Sequence, residues 1–233
     1  MKGLTMSTST PTPNLHIYFV LDRSGSMQSI ADDVIGGFNA YVKKQQAEGA
    51  DAVMTVIQFD DDEPFEVLED ATPINEVKTL NSAVFTPRGM TPLFDAMGRT
   101  LNRAISREAQ LVGAEKPAES VVFVSFTDGA ENASREFTRE TVFNLVKGKE
   151  KDGWTFVYMG ANQDAYDSGG TMGVSAMNNS NFIADKQGTS LAFEDLTKAT
   201  STRRSKLRTG EVFSTQAFFE EGKTADQDAS ERQ

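Results

Sequence analysis

The chain has no cysteine. That excludes a disulfide framework, a thiol nucleophile and a thiolate metal site. It has a single histidine, His16, so zinc sites built on cysteine–histidine pairs are also excluded. His16 lies at the start of an apolar run and reads as a strand-end residue with no triad partner. Long apolar runs are missing too. None approaches the roughly 20 residues of a membrane-spanning helix. The opening Met1-Lys2-Gly3-Leu4-Thr5-Met6-Ser7 lacks the apolar centre of a secretory signal. Positive charge is scarce: 23 Lys and Arg face 34 Asp and Glu, a formal net charge of −11. That balance disfavours non-specific nucleic-acid binding. Together these absences lead to the expectation of a cytoplasmic protein with neither a nucleic-acid nor a membrane partner.

What is present suffices for one large α/β domain. The chain has 233 residues, 38% of them hydrophobic and 24% charged, which is a globular balance with enough length for a complete core. Residues 1–14, rich in Ser, Thr and Pro, read as a flexible lead. Leu15 to Asp22 is an apolar run suited to a strand buried on both faces. Ile30, Val34, Phe38 and Val42 then recur at helical spacing. Ala52 to Asp60 reads as a second strand, Asp60 to Pro64 as a charged solvated turn, and Phe65 to Glu69 as its hairpin partner at a sheet edge. Residues 71–90 read as a long connection with a helical turn near Ile74.

Thr91-Pro92 reads as a helix start, with the threonine as N-cap and proline at the first position. Leu93, Met97, Leu101 and Ile105 mark that helix. Further strands are expected at Ser120 to Phe126, Trp154 to Gly160 and Asn181 to Ala184. Helices are expected around Arg139 to Glu150 and Thr189 to Arg208. Arg203-Arg204-Ser205-Lys206 reads as a basic cluster at a helix end, where cations suit the dipole. Residues 209–233 form a C-terminal extension. It is polar and aperiodic after Gly222, so disorder is expected there and truncation should be harmless. Strands alternating with helices argue for a mostly parallel sheet covered on both faces.

Three separated segments end or begin these elements with hard oxygen donors: Asp22, Ser24 and Ser26 after the first strand, Thr91 before a helix, and Asp128 after the Ser120 strand. Such donors suit a magnesium-type cation. If the two aspartate-bearing strands are neighbours, their carboxylates emerge about 5 Å apart and repel unless a cation lies between them. Taken singly, Ser26 and Thr91 read equally as helix caps, and Asp22 and Asp128 as turn residues. Asp95 and Glu131 are either supporting groups around such a site or favourable carboxylates near helix starts.

The segments Asp22-Arg23-Ser24-Gly25-Ser26, Gly89-Met90-Thr91-Pro92-Leu93 and Phe126-Thr127-Asp128-Gly129 resemble, in order and context, the metal-ion-dependent adhesion site (MIDAS) of von Willebrand factor type A (vWA) domains. The resemblance spans residues 15–208 and is nearest to free-standing bacterial or phage cytoplasmic examples. It implies a three-layer, doubly wound, Rossmann-like α/β fold. The sheet order would be 3-2-1-4-5-6, with one antiparallel edge strand. It implies Mg²⁺ or Mn²⁺ held by Ser24 and Ser26, by Thr91 in some states, and by Asp22 and Asp128 directly or through water.

The resemblance further implies an open metal position that a partner protein fills with an Asp or Glu. Met27, Met90 and the acidic turn at Asp61 would border that contact. The expected function is therefore a metal-dependent protein–protein interaction module, not an enzyme. Two alternatives stay open. One is a metal-dependent phosphohydrolase, although Asp22 is followed by Arg-Ser-Gly rather than by a second aspartate two residues on. The other is a structural subunit whose metal serves stability alone.

Overall fold

The computed structural model describes residues 15–161 and 165–232, so the lead expected at 1–14 lies outside the described residues. Six strands form one sheet: β1 (Leu15–Asp22), β2 (Ala52–Phe59), β3 (Glu66–Pro73), β4 (Ser120–Thr127), β5 (Thr155–Ala161) and β6 (Asn179–Phe182). Their order is β3-β2-β1-β4-β5-β6, and only β3 runs antiparallel. Six helices accompany them: α1 (Ala31–Ala47), α2 (Leu93–Gly113), α3 (Arg139–Lys151), α4 (Ala165–Thr171), α5 (Lys186–Thr209) and α6 (Thr224–Arg232). None of these helices is long and apolar enough to cross a membrane.

The apolar run of β1 forms a central strand because both of its faces are covered. All eight of its residues are buried. Ile17, Phe19 and Leu21 pack with Val34 and Phe38 of α1 and Phe193 and Leu196 of α5. Tyr18 and Val20 pack with Leu93, Met97 and Leu101 of α2 and Val142 and Val146 of α3. The result is three layers with a core on each side of the sheet. Phe126 of β4 stacks on Phe193 at 4.8 Å between ring centroids, tying sheet to helix.

Several expectations need correction. The hairpin strand continues to Pro73 and takes the first residues of the expected connection. The last strand is Asn179–Phe182, two residues earlier than periodicity suggested. Leu93 is the first residue of α2 and Pro92 its N-cap, so Thr91 caps nothing. His16 lies at the start of β1, as expected. It is fully buried, with Nδ1 2.8 Å from Glu119 Oε2 and Nε2 2.8 Å from Thr55 Oγ1, and its ring stacks on Tyr18. The two arginines of the basic cluster are internal, whereas Lys206 lies in the last turn of α5. Arg204 is buried and donates to Gln45 O and Gly49 O, and it pairs with Asp51. Arg203 is buried over the Phe213 ring, 3.9 Å from its centroid, and donates to Thr155 and Ser214.

The largest correction concerns the tail expected to be disordered. Gly210 ends α5 in the left-handed conformation, with φ +69°, and turns the chain back onto the domain. Phe218 and Phe219 are buried in the core shared by β1 and α5. Residues 224–232 then form α6, with Ala225 and Ala229 buried. The Ala225 amide donates to Asp195 Oδ2 at 2.8 Å. Asp226 accepts from the Asn181 amide at 3.1 Å and from the Tyr166 hydroxyl at 2.7 Å, and Lys223 donates to the Asn179 carbonyl at 2.8 Å. The tail thus satisfies backbone groups on the free side of the edge strand β6, where unpaired groups would otherwise invite other chains. Beyond Gly222 its contacts are polar and alanine-sized, so a search for apolar periodicity passes over them.

Candidate metal centre

The three donor segments meet because β1 and β4 are parallel neighbours with Leu21 beside Phe126. Both strands therefore release their following loops at the same edge. The connection from β1 leads to β2 on one side, whereas β4 lies on the other, so this edge is the switch point where such sheets place ligands. The loop before α2 arrives at the same edge. The Gly25 amide donates to Gly89 O at 3.1 Å, and the Arg88 amide donates to Arg23 O at 3.0 Å.

The side-chain oxygens form a connected set. Asp22 is buried; its Oδ1 accepts from the Ser24 amide at 2.7 Å and its Oδ2 from the Thr127 hydroxyl at 2.5 Å. Ser24 Oγ lies 3.1 Å from Ser26 Oγ. Ser26, which is exposed, donates to Asp128 Oδ1 at 2.6 Å. Thr91 is buried with its backbone held on both sides by Asn132: its amide donates to Oδ1 at 2.9 Å, and its carbonyl accepts from the Asn132 amide at 3.2 Å. Gly129 shows how closely these oxygens converge. A Cβ placed there would lie 3.1 Å from Thr91 Oγ1, 3.4 Å from Ser26 Oγ and 3.9 Å from Asp22 Oδ2. Thus Asp22, Ser24, Ser26, Thr91 and Asp128 lie in one cluster.

The capping alternative for the hydroxyls fails on geometry. Ser24 and Ser26 lie at the start of a 3₁₀ turn, Gly25–Ile30, with no side-chain cap bond, and Thr91 precedes the α2 N-cap. Burial pushes the Asp22 carboxyl up to about 6 despite hydrogen bonds from Thr127 and Ser24, and the charge of Asp128 adds to the rise. Burial also raises Asp128, opposed by the bond from Ser26. Neither carboxylate forms an ion pair with a basic side chain among the described residues. Two such acids, withdrawn from water without a cationic partner, are an unstable arrangement unless a proton or a cation joins them. No cluster of three or more Asp, Glu or His side chains suited to a metal occurs among the described residues, so hydroxyls or water would supply the rest of any shell here.

Asp95 and Glu131 hold loops rather than touch the donors. Glu131 accepts from the Phe94 amide at 2.8 Å in the first turn of α2, and from the Ser134 amide at 2.7 Å. Asp95 accepts from the amides of Arg135, Glu136 and Phe137. Met27 is fully buried and cannot border a partner, whereas Met90 is 46% exposed. The acidic turn is only partly solvated: Asp60 is buried against Arg23 and Arg88, and Asp61 binds the Met90 amide. Sequence reading missed this second ring. Its one visible signal is four consecutive acidic residues, Asp60 to Glu63, at the carboxyl end of a strand neighbouring β1.

No protein-family model and no curated protein matches the sequence. Solved structures do. The vWF domain of the type V pili tip protein Mfa5 from Porphyromonas gingivalis aligns over 87% of this chain and 99% of its own, with TM-score 0.58 and 13% identity. A von Willebrand factor type A protein from Catenulispora acidiphila aligns over 81% of this chain and 43% of its own, with TM-score 0.54 and 12% identity. Proximal thread matrix protein 1 from the mussel byssus aligns over 79% and 47%, with TM-score 0.54 and 14% identity. The present chain therefore spans less than half the length of the latter two. At these identities the likeness establishes the fold alone: a Rossmann-like, doubly wound α/β sheet, the fold of those vWA domains, with the strand order described above.

Proposed function

We propose that this vWA-fold chain is a divalent-metal-dependent protein-interaction module without catalytic activity, its metal held by Asp22, Ser24, Ser26, Thr91 and Asp128. The observation that carries this reading is the convergence of the Asp22, Ser26 and Thr91 oxygens, from two loops, on the space above Gly129, with Ser24 and Asp128 joined to them through the Ser26 hydroxyl. The donor set fits Mg²⁺ or Mn²⁺, being all hard oxygen with two carboxylates and three hydroxyls. The ion, when bound, supplies positive charge to an incoming oxygen ligand. Asp22 and Asp128 contribute the two negative charges, and the hydroxyls contribute none. Ser26 is exposed and Asp128 half-buried, whereas Asp22, Ser24 and Thr91 are buried, so a partner's Asp or Glu approaches from the Ser26–Asp128 side. Gly129 leaves that approach free of a side chain. The absence of cysteine fits a reducing cytoplasm as the place of action.

Titration calorimetry with Mn²⁺ tests the site. The wild type should bind one ion, and Asp22→Ala should bind none; equal binding by both would refute the assignment. Partner capture in Mg²⁺ against excess EDTA tests the role, since a complex that survives chelation does not use the metal. Turnover of a phosphate ester that requires Mg²⁺ and is lost in Asp22→Ala would instead favour the phosphohydrolase.

A further inference from the structure

The acidic turn after β2 has a use that its charge alone does not reveal. Asp60 organises it: Oδ1 accepts from the amides of Asp62 at 2.9 Å and Glu63 at 2.8 Å, and Oδ2 accepts from Arg23 Nε at 2.7 Å and Arg88 Nε at 3.0 Å. Arg23 follows Asp22, and Arg88 begins the loop that carries Thr91. One buried carboxylate thus joins two of the three donor loops through charge-assisted bonds. The turn so formed presents the next residue. Asp61 Oδ1 accepts from the Met90 amide at 2.6 Å, immediately before Thr91.

Gly89 makes this approach possible. Its φ is +64°, and a Cβ there would lie 1.9 Å from Asp61 Oδ1. Only glycine takes that backbone conformation without strain and also leaves room for the carboxylate. The Met90–Thr91 peptide is therefore gripped at both ends, by Asp61 on the Met90 amide and by Asn132 on the Thr91 amide and carbonyl. Thr91 needs such a grip because it lies outside α2 and its hydroxyl engages no cap.

We infer that Asp61 is a positioning residue of the metal site: its bond to the Met90 amide, admitted by Gly89, sets where the Thr91 hydroxyl stands. This inference rests on the proposed metal site and adds a residue that coordinates nothing itself. Groups that orient metal ligands from behind typically change affinity by roughly 10- to 100-fold when removed.

The test is Mn²⁺ calorimetry on the full chain, with the metal-free melting temperature measured in parallel. Asp61→Ala should weaken Mn²⁺ binding by roughly 10-fold or more while the metal-free melting temperature stays within a few degrees. Asp61→Asn keeps an oxygen acceptor for the Met90 amide and removes the charge, so it should bind nearly as the wild type does. Gly89→Ala should weaken binding in the wild-type background, and by less in the Asp61→Ala background, where the clash is gone and only the strain of the positive φ remains. Asp61→Ala binding as tightly as wild type overturns the inference. So does equal loss in Asp61→Asn and Asp61→Ala, which would assign the effect to charge near the ion. Failure of the wild type itself to bind Mn²⁺ would refute the site rather than the role of Asp61.

Discussion

Replacing Asp22 with asparagine should stabilise the metal-free protein at neutral pH and abolish its response to metal. Burial lifts the Asp22 carboxyl from 3.8 to about 6 in the folded state. The folded state then holds that proton more tightly than the unfolded chain does. The contribution of this one group to metal-free stability is greatest below pH 3.8 and is lost as pH rises through about 6, after which it levels off. A rise of about two pKa units corresponds to about 3 kcal/mol lost by pH 7.5. The amide introduced by Asp22→Asn carries no such charge, and the local hydrogen bonds survive the change. Its oxygen can still accept from the Ser24 amide. Thr127 Oγ1 can turn its proton to Gly129 O, 3.1 Å away, and accept from the new side-chain amide.

For a domain of this size, about 3 kcal/mol corresponds to a melting-temperature gain of roughly 6–12 °C. Adding Mn²⁺ at about 100 times its dissociation constant should raise the wild type by about 2.7 kcal/mol, closing the gap, and leave Asp22→Asn unchanged. Differential scanning calorimetry of both proteins at pH 4.0, 6.0 and 7.5, with and without Mn²⁺, reads all of this. A metal-free Asp22→Asn that melts at or below wild type at pH 7.5 would refute the reasoning. So would a wild-type difference from Asp22→Asn that does not change with pH.

Three other outcomes follow from particular contacts. Thr91→Ala should weaken Mn²⁺ binding yet leave the metal-free melting temperature nearly unaltered, because the hydroxyl caps no helix; a large melting loss would show a structural role. Asp226→Ala should lower the melting temperature by roughly 3–12 °C, since it removes the acceptor of both the Asn181 amide and the Tyr166 hydroxyl and a bond to a charged group is worth about 1.5–3 kcal/mol; truncation after Gly222 should lower it too, and an unchanged melt in both would show that α6 does not hold the β6 edge. Gly36→Ala, with open space around its Cβ, should stabilise α1 by about 0.5–1 kcal/mol, whereas Gly37→Ala, whose Cβ would lie 2.2 Å from Phe193, should destabilise despite the same helix propensity; urea midpoints compare the two.

Local composition and periodicity were enough to read β1 from Leu15 to Asp22, the sheet's alternation with helices, and the three donor-bearing segments at the ends of their elements. A strand buried on both faces is mostly apolar and readily turns charged only where it leaves the sheet, so Asp22 and Asp128 read as strand ends. That the segments belong together came from their ordered likeness to a known site, not from spacing. Tertiary structure decided which polar groups meet. It freed the Thr91 hydroxyl from capping by starting α2 at Leu93. It turned Met27 inward, drew Arg203 and Arg204 into the interior, and folded 211–232 over β6. It also turned a run of four acids into a clamp on Arg23, Arg88 and Met90. A hydrogen bond between residues 28 to 105 positions apart leaves no periodic trace in the chain, because its partners are chosen by which loops the sheet edge brings side by side.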